Sequence, residues 1–367
     1  MARLESMFDG VLEEATETAC REIEARGLSP EEADKYVSRV TEAIPEALRE
    51  TVAPLIERLK QSAPEMLQER RESRRGYSEM IQAHWGDAFD AYEIVLRIAF
   101  ELGDDFVRAR IEDGDDSTVG PVLTRLQARA CRIAEEVLVL MKAGYAQGAL
   151  ARWRALHEVA VVAMFIGQHG EETARRYLAH EYVEAWWAIK DYLGCYERLG
   201  YEAPPADEVR LAERNFEAVV GEFGSSFKGQ FGWAADVFAG EGEEGSKPPR
   251  IGLRDLEKNV GVDHLRAHYR HASHPVHPQA TGTMSSPDLM PELEGGALAG
   301  PAPRGMADPG HGALISLTQA TMAVLMLTAG PGAIVYGELM VSLSDEAGER
   351  FIEAHRALDE DGFASEI

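Results

Sequence analysis

Apolar residues recur at helical spacing along most of the chain. Over residues 77–111, Ile81, Trp85, Phe89, Tyr92, Val95, Leu96 and Phe100 follow that period, which predicts a long helix. Upstream, residues 3–26 read as an acidic amphipathic helix that stops at Gly27. Ser29-Pro30-Glu31-Glu32 is a start signal: Ser29 can cap, Pro30 suits the first helical position, and Glu32 can close the capping box. Ser62-Ala63-Pro64-Glu65 repeats that logic and predicts a further start. After the break at residues 112–121, a periodic apolar pattern runs over 122–165 and bends at Lys142-Ala143-Gly144-Tyr145. Residues 171–199 and 207–223 predict two more helices, separated by Gly200 and Pro204-Pro205.

Residues 239–250 read as a flexible loop. Residues 251–273 are helical in two pieces broken at Gly261, with Asp263 as cap of the second, and Pro275 forbids a regular continuation. Two or three helices span 312–360. Alternating strands and hairpin dipeptides are scarce, so the expected fold is all-α. It is a multi-helix array or bundle with a long Gly/Pro-rich loop before the C-terminal helices. The expected organisation is an acidic helical region over 1–111, a central helical core over 122–280, a flexible loop or linker over 281–310, and C-terminal helices over 311–367 that pack back on the core.

Composition narrows the partners. The 37 Lys and Arg against 63 Asp and Glu set a formal charge of −26. Such a chain repels nucleic acid and anionic membrane unless a local basic patch overrides the field. Residues 66–75, MLQERRESRR, form one small basic cluster, most simply a solvated helix end. Residues 313–329 are apolar, yet they carry Ser316, Thr318, Gln319, Thr321 and Thr328, so they read as a core helix rather than a membrane span. Cys20, Cys131 and Cys195 are widely spaced and form no framework, which fits a reducing, cytoplasmic setting. The N-terminus lacks the charged and apolar regions of a signal peptide. Trp186 and Trp187 are adjacent, so they face different sides of a helix.

Five of the eleven histidines fall between His264 and His277, in DHLRAHYRHASHPVH. On a helix, His264, His268 and His271 share one face at i, i+4 and i+7, a spacing that weakly suggests a metal site. No HExxH, Cys pair or Glu-x-x-His pair accompanies them. A structural reading is also open, in which histidines hydrogen-bond the carbonyls at a helix end. A third reading is metal-independent phosphodiester chemistry. Arg270 would hold a phosphate with its planar fork, and a histidine would move the proton of a ribose hydroxyl. Six residues separate Arg270 from His277. This spacing resembles the R-x4-6-H motif of the HEPN superfamily of helical nucleotide-binding domains. That resemblance implies an all-α fold, a ribonuclease or other nucleic-acid-processing activity, and a place in a bacterial defence or toxin system. Arg270, Ser273, His274 and His277 are the candidate catalytic residues. Arg152 and His157 satisfy the same spacing in mid-helix and match less well.

Arg154 and Glu158 stand at i, i+4 on an otherwise apolar helix. Together with Tyr269-x3-Ser273-x3-His277, they resemble an uncharacterised bacterial all-helical family. Its members carry an Arg-x3-Glu helix about a hundred residues before a Tyr/Ser/His segment. The resemblance covers residues 122–282 and implies that Arg154, Glu158 and Tyr269 support the site of Ser273 and His277. Ser273 as a hydrolase nucleophile is disfavoured, because no GxSxG elbow surrounds it. No GxGxxG or P-loop motif follows a strand, and no cofactor is expected. RNA, a protein partner and a homodimer stay open as partners. A non-catalytic scaffold or regulatory partner-binding protein is the alternative to the enzyme, and a His-rich metal-binding protein is a third reading.

Overall fold

A computed structural model describes residues 16–18, 20–239, 250–277, 280, 299–328 and 331–360. These residues form helices and turns, with no strand among them. They divide into two compact units, 1–76 and 77–367.

In the first unit, residues 20–26 are helical and end at Gly27, whose φ of 58° suits the left-handed region that favours glycine. Residues 3–15 and 19 of the expected first helix lie outside the described residues. Helix α1, Pro30–Asp113, starts where the sequence signals it. Glu32 accepts from the Ser29 hydroxyl at 2.7 Å and from the Ser29 N–H at 2.9 Å. These bonds hold the Glu32 carboxyl below its ordinary value. Tyr36 donates to Glu22 at 2.8 Å across the turn. Ser62 does not start a helix, because α1 runs through it and its hydroxyl donates back to the Leu59 carbonyl at 3.2 Å. Pro64 removes one ladder bond, and the good helix formers on both sides keep the helix intact.

The second unit begins at Tyr77. Residues 77–111, which the sequence groups with the acidic N-terminal region, supply core side chains here: Trp85, Phe89 and Tyr92 are wholly buried at i, i+4 and i+7. Helices α2, Val119–Lys142, and α3, Ala146–Ala179, form an antiparallel hairpin across Gly144, whose φ is 83°. Helix α3 kinks at Gly170. Helices α4, Glu181–Leu193, and α5, Ala206–Phe223, pack together, with Trp186 and Trp187 both against Phe216. Two short helices follow: α6, Leu253–Asn259, and α7, Arg266–His271.

Helix α8, Ala307–Leu325, packs on α2, α3 and the last helix, α9, Pro331–Glu360. Helix α8 begins five residues ahead of the expected position 312, at Ala307. Residues 240–249 and 281–298 of the two expected loops lie outside the described residues. The rest of the second loop is tied into the core. The Ala302 N–H donates to the Gly144 carbonyl at 2.8 Å, and Trp85 Nε1 donates to the Pro303 carbonyl at 2.9 Å. Gly and Pro conceal such packing in a sequence, because they erase the periodic pattern. Ser316, Thr318 and Thr321 of α8 are buried with its apolar residues, and among the described residues no helix is long and apolar enough to cross a membrane.

Candidate functional site

Two successive turns of α3 present Arg154, His157 and Glu158 toward the short helices α6 and α7. Helix α6 buries Leu253 and Leu256, Val260 is buried just beyond its end, and Glu257 falls on the same face. The Glu257 side chain is 0% exposed and is fully engaged. His157 Nε2 lies 3.1 Å from its Oε1, and Arg266 Nη1 reaches Oε1 at 3.2 Å and Oε2 at 3.1 Å. His157 Nδ1 is also buried and has no partner. A carboxylate only accepts, so His157 Nε2–H donates to Glu257, and Arg266 balances the carboxylate. Gly261, with φ of 76°, and the turn Asp263–Leu265 then bring Arg266 back over Glu257.

Tyr269 is the hinge between this buried cluster and the histidine-rich segment. Its ring lies 4.7 Å from the Arg154 guanidinium carbon, 4.8 Å from that of Arg266, and 5.7 Å from the His157 ring. Its hydroxyl donates to Glu158 at 2.5 Å. Arg154 Nε lies 3.6 Å from the same oxygen, too far for a good hydrogen bond. Burial first, and the bond to Glu158 second, push the Tyr269 phenol up to about 12. The Arg-x3-Glu helix and the Tyr/Ser/His segment thus meet through Arg154, Glu158 and Tyr269.

The remaining residues sit at the end of α7. The Ser273 hydroxyl donates to the Tyr269 carbonyl at 3.0 Å, which engages it with the helix rather than with a histidine. The turn after α7 returns on itself: the His274 N–H donates to the His271 carbonyl at 3.0 Å, and the His277 N–H to the Ser273 carbonyl at 3.1 Å. Arg270, His271 and His277 are exposed and His274 is half-buried. His277 connects to Tyr269 only through Ser273, and among the described residues neither Arg270 nor His277 makes a side-chain hydrogen bond or ion pair with Arg154 or Glu158.

The expected face of His264, His268 and His271 is split. Residues 263–265 form a tighter 3-10 turn, so His264 leaves the register of the other two. His268 and His271 border a cleft with Trp153, Asp308 and His311. Among the described residues, no group of three or more His, Cys, Asp or Glu is arranged to hold a metal ion. The mid-helix pair also diverges: Arg152 pairs with Glu136 on α2, while His157 faces Glu257. Cys131 is buried and its thiol is pushed up to about 12 by burial, Cys195 Sγ donates to the Asp191 carbonyl at 3.3 Å, and Cys20 is exposed.

Sequence reasoning missed Glu257, Arg266 and the role of His157. A signal exists in Leu253, Leu256, Glu257 and Val260: a carboxylate at an apolar position of a helix needs a cationic or donor partner.

Tyr269→Phe tests the hinge. At neutral pH it should cost about 1 kcal/mol, because Glu158 keeps Arg154 and water. A phenol that ionises near 10 when unfolded and near 12 when folded stabilises the fold fully below pH 10. That contribution is lost as pH rises through 10 to 12. Tyr92 is also pushed up by burial, so the wild-type fold loses stability over this range for more than one reason. The difference in denaturant midpoint between wild type and Tyr269→Phe should therefore shrink above pH 10. A difference that is constant from pH 8 to 11.5 would contradict the assignment.

Residues 121–288 match the model of a family of unknown function, DUF5677. The match covers both the Arg154/Glu158 helix and the Tyr269–His277 segment. No curated protein and no solved structure matches the chain.

Proposed function

We propose that this protein binds RNA at the end of α7 and cleaves it by a metal-independent, HEPN-like mechanism, as a cytoplasmic component of a bacterial defence or toxin system. The observation that carries the reading is the Tyr269–Glu158 bond. It anchors α7 to the Arg-x3-Glu helix while Arg270 and His277 remain exposed beyond the anchor. A cationic, proton-transferring helix end on a chain of charge −26 needs a reason, and an anionic substrate supplies one.

In this mechanism Arg270 neutralises the non-bridging oxygens of the phosphodiester. His277 removes the proton of the adjacent 2′-hydroxyl, and the 2′-oxygen forms a bond to phosphorus as the bond to the 5′-oxygen breaks. Protonated His274 supplies the proton to the leaving 5′-oxygen. The products are a 2′,3′-cyclic phosphate and a 5′-hydroxyl. Arg154, Glu158 and Tyr269 position the segment, and Ser273 holds the turn.

The test is incubation of purified protein with total RNA in EDTA. Wild type should cleave, and His277→Ala should be slower by about a hundredfold or more. Equal cleavage by both, or none by either, would overturn the reading. A non-catalytic partner-binding protein is the second reading, favoured by Ile334, Val335 and Tyr336, which lie exposed on α9. It predicts no turnover together with a stable complex.

A further inference from the structure

The cleft beside α7 has an organisation that the phosphodiester reading does not use. It is an open space of about 560 Å³, open solvent included, between α3, α7 and the start of α8. Leu150, Trp153, Leu265 and Ile315 form its apolar walls. Its polar edge carries three imidazoles, His268, His271 and His311, and one carboxylate, Asp308.

Two of the walls are held rigid. The Trp153 indole lies so close to Gly312 that a Cβ there would be 2.8 Å from Cε2, and Trp153 Nε1 donates to Ser316 Oγ at 3.1 Å. The His311 ring lies equally close to Gly348, where a Cβ would be 2.6 Å from Cδ2. Among the described residues, the side chains of Asp308, His268 and His311 have no hydrogen-bond or ion-pair partner; Asp308 and His268 are exposed, while the Cδ2–Nε2 edge of His311 lies against Gly348. The cleft adjoins the proposed cleavage site through His271, whose ring packs against that of His274 at 5.5 Å.

We propose that this cleft is the binding subsite for one unstacked guanine base of the RNA whose phosphate lies at Arg270. The proposal rests on the reading above for the identity of the substrate. Trp153 is only 2% exposed, so it floors the cleft rather than offering a ring face. Apolar walls edged by the His268 and His271 imidazoles suit a nucleobase, because single-stranded RNA is recognised by packing bases on apolar and aromatic side chains, histidine included, and bonding their edges. The Asp308 carboxylate repels phosphate, so the base enters and the phosphate stays outside, near Arg270. A carboxylate is acceptor-only and matches two adjacent donors. Guanine presents such a pair, its N1–H and exocyclic amine, on one edge. The imidazole N–H groups complement its O6 and N7 acceptors.

The experiment is calorimetric titration with the 5′-monophosphates of guanosine, adenosine, cytidine and uridine. It uses wild type and Asp308→Asn. Guanosine monophosphate should bind wild type at least about tenfold more tightly than the other three. Asp308→Asn should lose about tenfold or more for guanosine monophosphate alone. Ile315→Trp, which fills the cleft, should abolish binding while its circular-dichroism melt stays cooperative. Equal affinity for all four nucleotides, or no binding of any, would overturn the subsite. RNA cleavage that depends on His277 but shows no base preference would leave the cleavage reading standing and remove this one. Selective guanosine monophosphate binding without RNA cleavage would support the subsite and remove the cleavage reading.

Discussion

Glu257→Ala should destabilise the second unit by about 3–5 kcal/mol, the cost of breaking a buried charge pair by removing one partner. The side chain is 0% exposed and receives hydrogen bonds from both His157 and Arg266. Its loss leaves Arg266 without its carboxylate in a half-buried position. It also leaves both nitrogens of His157 unpaired in the core, since Nδ1 already has no partner. Glu257→Gln should cost less, because its carbonyl still accepts from one donor. Removing the opposing charge as well, in Glu257→Leu with Arg266→Met, should recover much of the loss, because replacing a buried ion pair with apolar groups is often close to neutral. Denaturant unfolding of the three variants checks this. A cost below about 1 kcal/mol for Glu257→Ala would show that the cluster does not hold α6 and α7 on α3.

Phe351→Ala should cost about 3–5 kcal/mol, as for other fully buried aromatics cut to alanine. Phe351 is wholly buried on α9, with its ring 6.1 Å from Trp85, 6.0 Å from Phe89 and 6.3 Å from Tyr92. The ring also fills the space over Gly310, where a Cβ would lie 2.7 Å from Cε1. A cavity there cannot collapse easily, because two of its walls are tied to backbone elsewhere. Tyr92 donates to the Ala134 carbonyl at 2.9 Å, and Trp85 to that of Pro303 at 2.9 Å. For a unit of this size the loss corresponds to a fall in Tm of about 1.5–2 °C per kcal/mol, readable by calorimetry. Phe351→Leu should lose clearly less, since it keeps part of the volume. If alanine and leucine variants melt together within about 1 °C, Phe351 is not what fastens α9 to the core.

Much of the architecture was legible along the chain. The period of the apolar residues is a local property, and it marked residues 77–111 of α1, the α2–α3 hairpin with its break at Gly144, and α5, because a helix displays its buried face every three or four residues. The single helix read over 171–199 is instead the end of α3 followed by α4. The helix start at Ser29 was legible for the same reason, since Ser29 and Glu32 bond each other within one turn. Ser62 shows the limit of such signals: an equally good capping pattern is overrun when its neighbours favour continuing the helix. Within the site, the pair Arg154 and Glu158 and the run Tyr269–His277 could be picked out as separate motifs, because each lies on one short segment.

Which residues of different segments face one another is what only the tertiary structure decided. Glu257 is one of many acidic residues in sequence, and becomes a buried partner of His157, a hundred positions away, only when α6 lies on α3. The five histidines look like one group in sequence. The 3-10 turn at Asp263–Leu265 and the turn after α7 divide them into His264 alone, a cleft edge of His268 and His271, and a helix end of His274 and His277. Asp308 and His311 join that cleft edge from α8, although nothing near them in sequence marks them. Periodicity reports how a residue stands on its own helix. The pairing of charges and the walls of a cleft depend on how separate helices pack, and that relation is written in no single stretch of the chain.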